Sequence, residues 1–565
     1  MQFVRNLRRA PLGRLAAAGS AAAAAATLSS HADAEPLNLT KRGSVMVAPS
    51  DSITEVVITA RPVSQHIEEQ QRELADSYAD FSGDCSYEKA LRALRSAFKL
   101  PSAELSRLSM HFRREAIKGL EGAPSSMQMI PTFVTKRVTG DEKGDFYALD
   151  LGGTNFRVLR LSLEGGGKVG AVKQAKFTIS EATKTSDAAG LFGFLADSIA
   201  TFLAKECGGN PSGDLGFTFS FPVTQTAINA GTLVMWNKGF TAAGVVGHDV
   251  VDLLQTQLSS RGINLKVKAL ANDTVGTMEA AAYAYPDTTM GVILGTGTNA
   301  AYIEKGSKLG KWKGPPCDEM VINTEWGNLD MTSVRRARKF GGANSAARFG
   351  GAFGAILADR TAPPRRTRQV MNATDHFIDG ASTNPGKQTF EKMVSGMYLG
   401  EICRVAVLSP EVLSGFSAGC QAELRAAFAG TGALKSALMS AIEADDTAEL
   451  SKAGAALAKA GVSSTTVRDR VLLREAAVNI SSRAARLSAM GVASLLQLQE
   501  WDGAAGQPAT VAVDGSVFEL YPRFKERMEG GIAELLGVEA AKSVKLVLAK
   551  DGSGIGASII AAVAE

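Results

Sequence analysis

The chain has 565 residues, 45% hydrophobic and 21% charged, which is enough for two or more domains with substantial cores and ordinary for a soluble globular protein. Its five cysteines (Cys85, Cys207, Cys317, Cys403, Cys420) are scattered, odd in number and form no CxxC pair, which argues against a zinc site or a disulfide framework; the five histidines are equally dispersed and give no basis for a histidine metal site or a Ser-His-Asp triad. The net charge of +4 sits in two segments: residues 1–32 hold four arginines and no acid, and residues 331–370 hold nine Lys/Arg against Asp359 alone, so that taking this +4 and this +8 from the total leaves −8, a mildly acidic body with little support for a nucleic-acid partner.

In chain order, the N-terminus reads MQFVRNLRRAPLGRLAAAGSAAAAAATLSSHADAEP, with the arginine, serine and alanine content of an organelle transit peptide. Its apolar part, Leu15–Leu28, is alanine-dominated and short for a membrane span. Import into a plastid or mitochondrion is expected. An anchor on the cytosol-facing surface of an organelle comes next and a bland tail on a cytosolic protein third; free cysteines oppose a secretory signal cleaved after Ala34. Residues 35–75 read as a polar linker, and residues 86–120 carry helical periodicity in Leu91, Leu94, Ala97, Phe98, Leu105, Leu108 and Phe112. Phe146–Arg157, FYALDLGGTNFR, is an apolar run ending in Asp150, a turn at Gly152-Gly153 and an alternating return run. Helices are expected at 188–205 and Val250–Leu258, a strand at Asp214–Val223, and a strand, an Asn272-Asp273 corner and a helix within Leu265–Tyr285. Gly291–Glu304, GVILGTGTNAAYIE, then repeats the strand, glycine turn and return strand.

The segment 331–370 is Gly/Ala/Arg-rich and unpatterned, and reads as a surface insertion, tolerated because loop length costs little. Phe390–Leu498 is mostly helical. Ala509–Leu520 is a strand meeting Asp514-Gly515-Ser516, and Val544–Ala564 reads as strand, DGSGIG loop and alanine-rich helix. Strands alternating with helices, with Asp/Gly corners at strand ends, indicate an α/β architecture whose site gathers at loop ends.

Two glycine turns from two parts of the chain could grip one polyphosphate from both sides, because glycine lets backbone N–H groups approach an anion closely. The chain has no GxxxxGK[ST], so a P-loop kinase is excluded; GTGTNA at 295–300 matches GxGxxA of dinucleotide-binding folds, but an alternating AYIE follows it instead of a helix. Asp150 and Asp273, at predicted strand ends, either cap the turn that follows or hold a carboxylate ready to take a proton from a hydroxyl nucleophile. Ser220 in FSFP, Lys238 in WNKGF, Asn299, Glu325 in NTEWG and Glu391 in TFEKM are polar residues in apolar or turn settings, each weak when taken singly.

Taken together, LDLGGTNFR, GFTFSFPV, WNKGF, ANDTVGTM, GTGTNA, NTEWG, NPGKQTFEKMVSGMYLGE, VAVDGSV and DGSGIGA resemble, in order, the blocks of eukaryotic hexokinases and glucokinases, and most of all plant or algal members. The resemblance covers about residues 85–565 outside the insertion. It implies an α/β protein of the two-domain actin-like, ribonuclease H-like type, with a cleft between a small domain at about 140–270 and a large domain made of the N-terminal helices and the rest. It further implies transfer of the γ-phosphoryl of ATP, with Mg²⁺, to the 6-hydroxyl of a hexose as the entry to glycolysis; a monomer is expected, with association to an organelle membrane through the N-terminus.

By the same resemblance, Ser220, Phe221, Asn237, Lys238, Asn272, Asp273, Asn299, Glu325 and Glu391 contact the sugar, and Asp273 is the general base. Asp150 orients Mg²⁺ through water; Gly152, Gly153, Thr154, Asn155, Thr296 and Gly297 cradle phosphates; Arg157 and Lys238 offset the charge of the moving phosphoryl. Gly396, Met397, Ser436, Ser440, Ser516 and Leu520 surround the nucleotide. Two departures stand out: Asn237 where the family usually has Thr, and Ile555 where it usually has Lys or Arg. Ile555 and the insertion raise a rival reading, a catalytically weak sugar sensor or scaffold on the same fold; a third, an actin-like or chaperone-like ATPase using the same glycine turns, stands against the filled sugar set.

Overall fold

A computed structural model describes residues 85–152, 155–236, 239–332 and 370–564. The transit-like N-terminus, the linker and nearly all of the basic insertion lie outside the described residues, as do Gly153, Thr154, Asn237 and Lys238. Helices α1 (Cys85–Phe98) and α2 (Ser102–Glu121) come first. The sequence shows one periodic stretch here, but the structure breaks it at Pro101, which has no N–H to extend α1 and sits at φ −65° as the N-cap of α2.

Strands β1 (Ile130–Pro131), β2 (Lys143–Leu151), β3 (Asn155–Gly165) and β4 (Lys168–Thr178) follow, then α3 (Ala188–Glu206) and β5 (Gly213–Phe219). A hairpin of β6 (Val223–Ala227) and β7 (Ala230–Leu233) leads to α4 (Val250–Ser260), β8 (Leu265–Ala271) and α5 (Asp273–Ala284). Next are β9 (Thr288–Leu294), β10 (Thr298–Lys305) and β11 (Glu319–Asn323). The helical region includes α6 (Thr389–Val394), α7 (Gly396–Val407), α8 (Ser436–Glu443) and α9 (Val467–Leu498). The chain ends with β12 (Ala509–Asp514), α10 (Ser516–Leu520), α11 (Phe524–Leu536), β13 (Val544–Leu548) and α12 (Gly552–Val563).

These strands build two mixed sheets of one design. The first has the order β4-β3-β2-β5-β8, and the second β1-β11-β10-β9-β12-β13. In each, a three-stranded antiparallel meander (β2, β3, β4; β9, β10, β11) is extended by two parallel strands (β5, β8; β12, β13). The recurrence between FYALDLGGTNFR and GVILGTGTNAAYIE is the first hairpin of each sheet. The Gly152 N–H donates to the Asn155 carbonyl at 3.2 Å in one turn, and the Gly295 N–H to the Gly297 carbonyl at 3.0 Å in the other. This is the two-sheet α/β arrangement of actin-like sugar kinases.

The helix after the last strand of each sheet packs on the other sheet: α5 follows β8 and lies on β9 and β10, and α12 follows β13 and lies on β5 and β2. The two helices cross backbone to backbone. A Cβ on Gly276 would stand 3.0 Å from the Cα of Ser553, and one on Gly556 would run into the Gly276 carbonyl.

The five-stranded sheet buries Leu149, Leu151 and Phe217 against Phe192, Leu195 and Ile199 of α3 and Leu254 of α4. Helix α3 is long and apolar enough to cross a membrane, and this core accounts for its apolar face. The six-stranded sheet packs with α1, α2 and α9 around Leu94, Phe112, Trp326, Leu487 and Val511. Helix α9 is buried nearly all round, so it lacks the polar stripe of a surface helix. Its buried cations are paired: Arg483 meets Asp375 through both arms at 2.7 Å, and Arg486 meets Glu534 at 2.6 and 2.5 Å.

Candidate active site

The register of the first hairpin sets Asp150 of β2 opposite Arg157 of β3. Arg157 Nη2 donates to Asp150 Oδ2 at 2.7 Å, Nη1 pairs with Asp551, and Ser553 Oγ donates to the same Asp150 oxygen at 3.0 Å. Burial by itself would loosen the proton on Arg157, but the Asp150 and Asp551 carboxylates outweigh it and hold the guanidinium pKa above its ordinary value. These groups border a cavity of about 560 Å³ lined by Asp150, Gly152, Asn155, Arg157, Gln174, Lys176 and Asp551.

DGSGIG, expected as a loop, is instead the start of α12: Asp551 takes the left-handed conformation at φ 56° and the helix begins at Gly552. Small residues let this turn nest closely, since a Cβ on Gly554 would stand 2.9 Å from Leu159. Asp551, the N-cap of α12, lines the cavity, and the Gly552 N–H behind it is donated to the Ala549 carbonyl at 3.1 Å. Ile555 packs instead against the apolar cluster of Val138, Leu161 and Leu163.

Parallel pairing sets Phe219 of β5 beside Leu151 of β2, and Thr218 beside Ala271 of β8. The residues just past these strand ends, Gly152, Ser220 and Asn272, therefore share one edge of the sheet, where α/β folds place their ligands. Asn272 caps α5: its Oδ1 accepts the Thr274 N–H at 2.9 Å and the Thr274 hydroxyl at 2.5 Å. Asp273 opens the helix and also accepts from the Thr274 N–H at 2.9 Å. Phe221 sits among Phe219, Trp236 and Phe240 with ring centroids 4.9, 5.0 and 5.0 Å away, so it touches residues on both sides of Asn237 and Lys238 in the chain.

The second sheet contributes a polar cluster. Asn299 Nδ2 donates to Asn323 Oδ1 at 2.9 Å and to Glu325 Oε1 at 3.1 Å, and Asn323 Nδ2 donates to the same Glu325 oxygen at 2.9 Å. Glu391 Oε2 accepts the Thr298 N–H at 3.2 Å, and Gln388 Nε2 donates to Oε1 at 3.3 Å. A Cβ on Gly297 would stand 3.0 Å from Glu391 Oε2, so the second glycine turn lies against this carboxylate. Glu325 and Gln388 both hold left-handed φ angles, 51° and 52°, a strain of about 1 kcal/mol each placed at the cluster.

The same turn reaches the expected nucleotide residues. The Gly396 N–H donates to the Gly295 carbonyl at 2.8 Å and the Met397 N–H to the Thr296 carbonyl at 3.2 Å; the Ser436 hydroxyl bonds the Gly396 carbonyl. A Cβ on Gly396 would stand 2.8 Å from Val517 of α10, which follows Ser516. Met397 and Leu520, three residues beyond Val517, are 66% and 68% exposed although apolar. Ser440 lies one turn along α8 from Ser436.

Asp514 stands at the end of β12. Burial pushes its carboxyl up to about 6, with the negative charges of Asp551 and Asp273 adding to the shift and the Gly515 N–H and Arg157 opposing it. From sequence Asp514 is named only as a strand-end corner, and Asp551, Ser553, Asn323 and Gln388 are not named as site residues. Asp514 and Asp551 carry a signal like that of Asp150, an aspartate at or just past a strand end with glycine within the next two residues. Asn323 and Gln388 stand inside NTEWG and KQTFEKM with no local mark of their own.

Two family models described as Hexokinase match the chain, one at residues 90–283 and the other at 289–339 and 362–563; the second passes over residues inside the basic segment. Hexokinase-1 of Oryza sativa subsp. japonica is 39% identical over 492 residues, 84% of this chain and 91% of the relative. Hexokinase-1 of Arabidopsis thaliana is 37% identical over 487 residues, 84% and 90% of the two chains. Among solved structures, hexokinase from Schistosoma mansoni complexed with glucose is 34% identical with a TM-score of 0.67, covering 84% of this chain and 98% of that one. The chain belongs to the hexokinase family and is an enzyme that phosphorylates a hexose.

Proposed function

We propose that the chain transfers the terminal phosphoryl of ATP to the 6-hydroxyl of glucose, and also of fructose and mannose, with Asp273 as general base. The observation that carries the assignment of the base is that Asp273 directly follows the Asn272 cap at the end of β8, on the sheet edge it shares with Gly152 and Ser220. A sugar is a ring of groups that donate and accept together. Ser220, Asn237, Lys238, Asn272, Asn299, Glu325 and Glu391 hold it with amides, a hydroxyl, an ammonium and carboxylates, and Phe221 packs on Trp236 and Phe240. Asp273 takes the proton of the attacking hydroxyl.

Gly152, Gly153, Thr154, Asn155, Thr296, Gly297 and the first turn of α12 receive the phosphates, and Arg157 with Lys238 offsets charge on the moving group. Met397 and Leu520 cover the adenine. A divalent cation fits beside Asp150, whose Oδ1 accepts no hydrogen bond among the described residues while Oδ2 is held by Arg157 and Ser553. When bound, Mg²⁺ supplies positive charge to the phosphate oxygens, and a single carboxylate acting through water suits an ion that keeps most of its shell. Ile555, packed into an apolar cluster, gives no support to a weakened sensor.

A coupled assay of sugar 6-phosphate formation with glucose, fructose and mannose tests the activity, and Asp273→Ala tests the base. The variant is expected to lose roughly 10²–10⁴ in kcat while glucose still raises its melting temperature. Turnover close to the parent's would remove Asp273 from that role. We further propose that residues 1–34 direct the protein to an organelle and that it works as a monomer; imaging of a fusion with an intact N-terminus and the mass in solution test these.

A further inference from the structure

We propose that Glu443 is a positioning residue for the nucleobase: its buried carboxylate ties together the far ends of α8 and α10, a role that rests on the reading of Met397, Ser440 and Leu520 as the residues around the adenine. Glu443 is the last residue of α8. Its Oε2 accepts the hydroxyl of Ser481 of α9 at 2.8 Å and that of Tyr521, the residue after α10, at 3.0 Å. Its Oε1 meets Arg527 Nη2 of α11 at 2.6 Å, and Arg527 Nη1 donates to the Ser481 hydroxyl at 2.7 Å. All four side chains are buried.

The two helices are fixed at their starts as well. Ser436, the first residue of α8, bonds the Gly396 carbonyl, and Val517 near the start of α10 lies so close that a Cβ on Gly396 would stand 2.8 Å from it. One glycine thus joins the two starts and one carboxylate the two ends, with the fixings about 10 Å apart along the eight residues of α8. Between them, Ser440 stands one turn before Glu443, and Leu520 directly precedes Tyr521. Leu520 is exposed, so little packing holds its side chain, and the anchored Tyr521 decides where it stands. A buried ion pair adds little net stability over an apolar core of the same shape; what this one adds is direction, because its hydrogen bonds hold one geometry where methyl groups would slide.

Steady-state kinetics and calorimetric binding of ADP and adenosine to Tyr521→Phe test this, since that change removes one hydroxyl and leaves the charge pair and the core volume in place. KM for ATP should rise about three- to tenfold, and ADP and adenosine should weaken by the same factor, because the defect lies at the base and not at the phosphates. KM for glucose and kcat should stay within about twofold. Ser481→Ala, which loosens the same carboxylate from α9, should repeat the pattern. Asp375→Asn is the control for stability alone: it breaks the buried pair with Arg483, outside this network, and should lower the melting temperature while leaving adenosine affinity unchanged. A loss of adenosine affinity below about threefold in Tyr521→Phe, or an equal loss in Asp375→Asn well below its melting temperature, overturns the proposal. Leu520→Asp separates the two levels: if it weakens adenosine while Tyr521→Phe is silent, only the positioning role falls; if both are silent, the adenine lies elsewhere and the reading of its site falls too.

Discussion

Asn323 shows how a single amide holds two of the proposed sugar ligands in place. It accepts from Asn299 and donates to Glu325, so both side chains lose a partner when it is truncated. Asn323→Ala should raise KM for glucose roughly fivefold, as expected for two side-chain hydrogen bonds worth about 1 kcal/mol between them, with KM for ATP unchanged. Equal shifts in both KM values would mean that Asn323 supports the fold and not the sugar side. Sequence could name Asn299 and Glu325 because each stands in a recognisable block. The link between them runs across the β10–β11 pairing, which no local pattern encodes.

At the scale of elements, α5 carries a conspicuous cost. Glu279 is fully buried in it, and its carboxylate oxygens make no well-formed hydrogen bond among the described residues. Burial pushes its pKa up to about 7; Arg137 and the Val138 N–H temper the shift and Glu142 adds to it. A carboxyl whose folded pKa is raised binds more protons folded than unfolded, so stability is undiminished below the unfolded value of 4.5 and falls as pH rises toward about 7. Glu279→Met should therefore raise the melting temperature at pH 8 and leave it nearly unchanged at pH 4.5, the difference reaching at most roughly 3 kcal/mol. A gain equal at both pH values would point to packing alone. Element boundaries followed local chemistry where one residue decides: Pro101 divides α1 from α2, and Asn272 starts α5. They departed from it at Gly552, where a glycine-rich stretch that looks like a loop is helical because β3 and α5 leave room only for small residues.

On the scale of the whole molecule, the two sheets meet through α5 and α12, and that crossing depends on Gly276 and Gly556. Gly556→Ala would drive a methyl into the Gly276 carbonyl, a backbone atom that cannot swing aside. A destabilisation of about 1–3 kcal/mol is expected, which lowers the melting temperature of a chain this size by a few degrees, and kcat should fall with it because Ser553 and Asp551 ride on the same turn. An unchanged melting temperature would mean that the helices stand further apart than described.

The amino-acid order alone determined what neighbouring residues decide: two strand–glycine–strand hairpins, the capped corner at Asn272-Asp273, an α/β alternation, and the blocks that mark the family. Only the tertiary structure decided that Asp551 reaches Arg157 across 394 positions, that Lys176 faces the same cavity, and that Asp514 lies within reach of Asp273. The reason is physical. A turn or a cap is fixed by φ preferences and hydrogen bonds within a few residues, whereas these meetings depend on which sheet each closing helix packs against, a choice made by the summed burial of distant apolar faces.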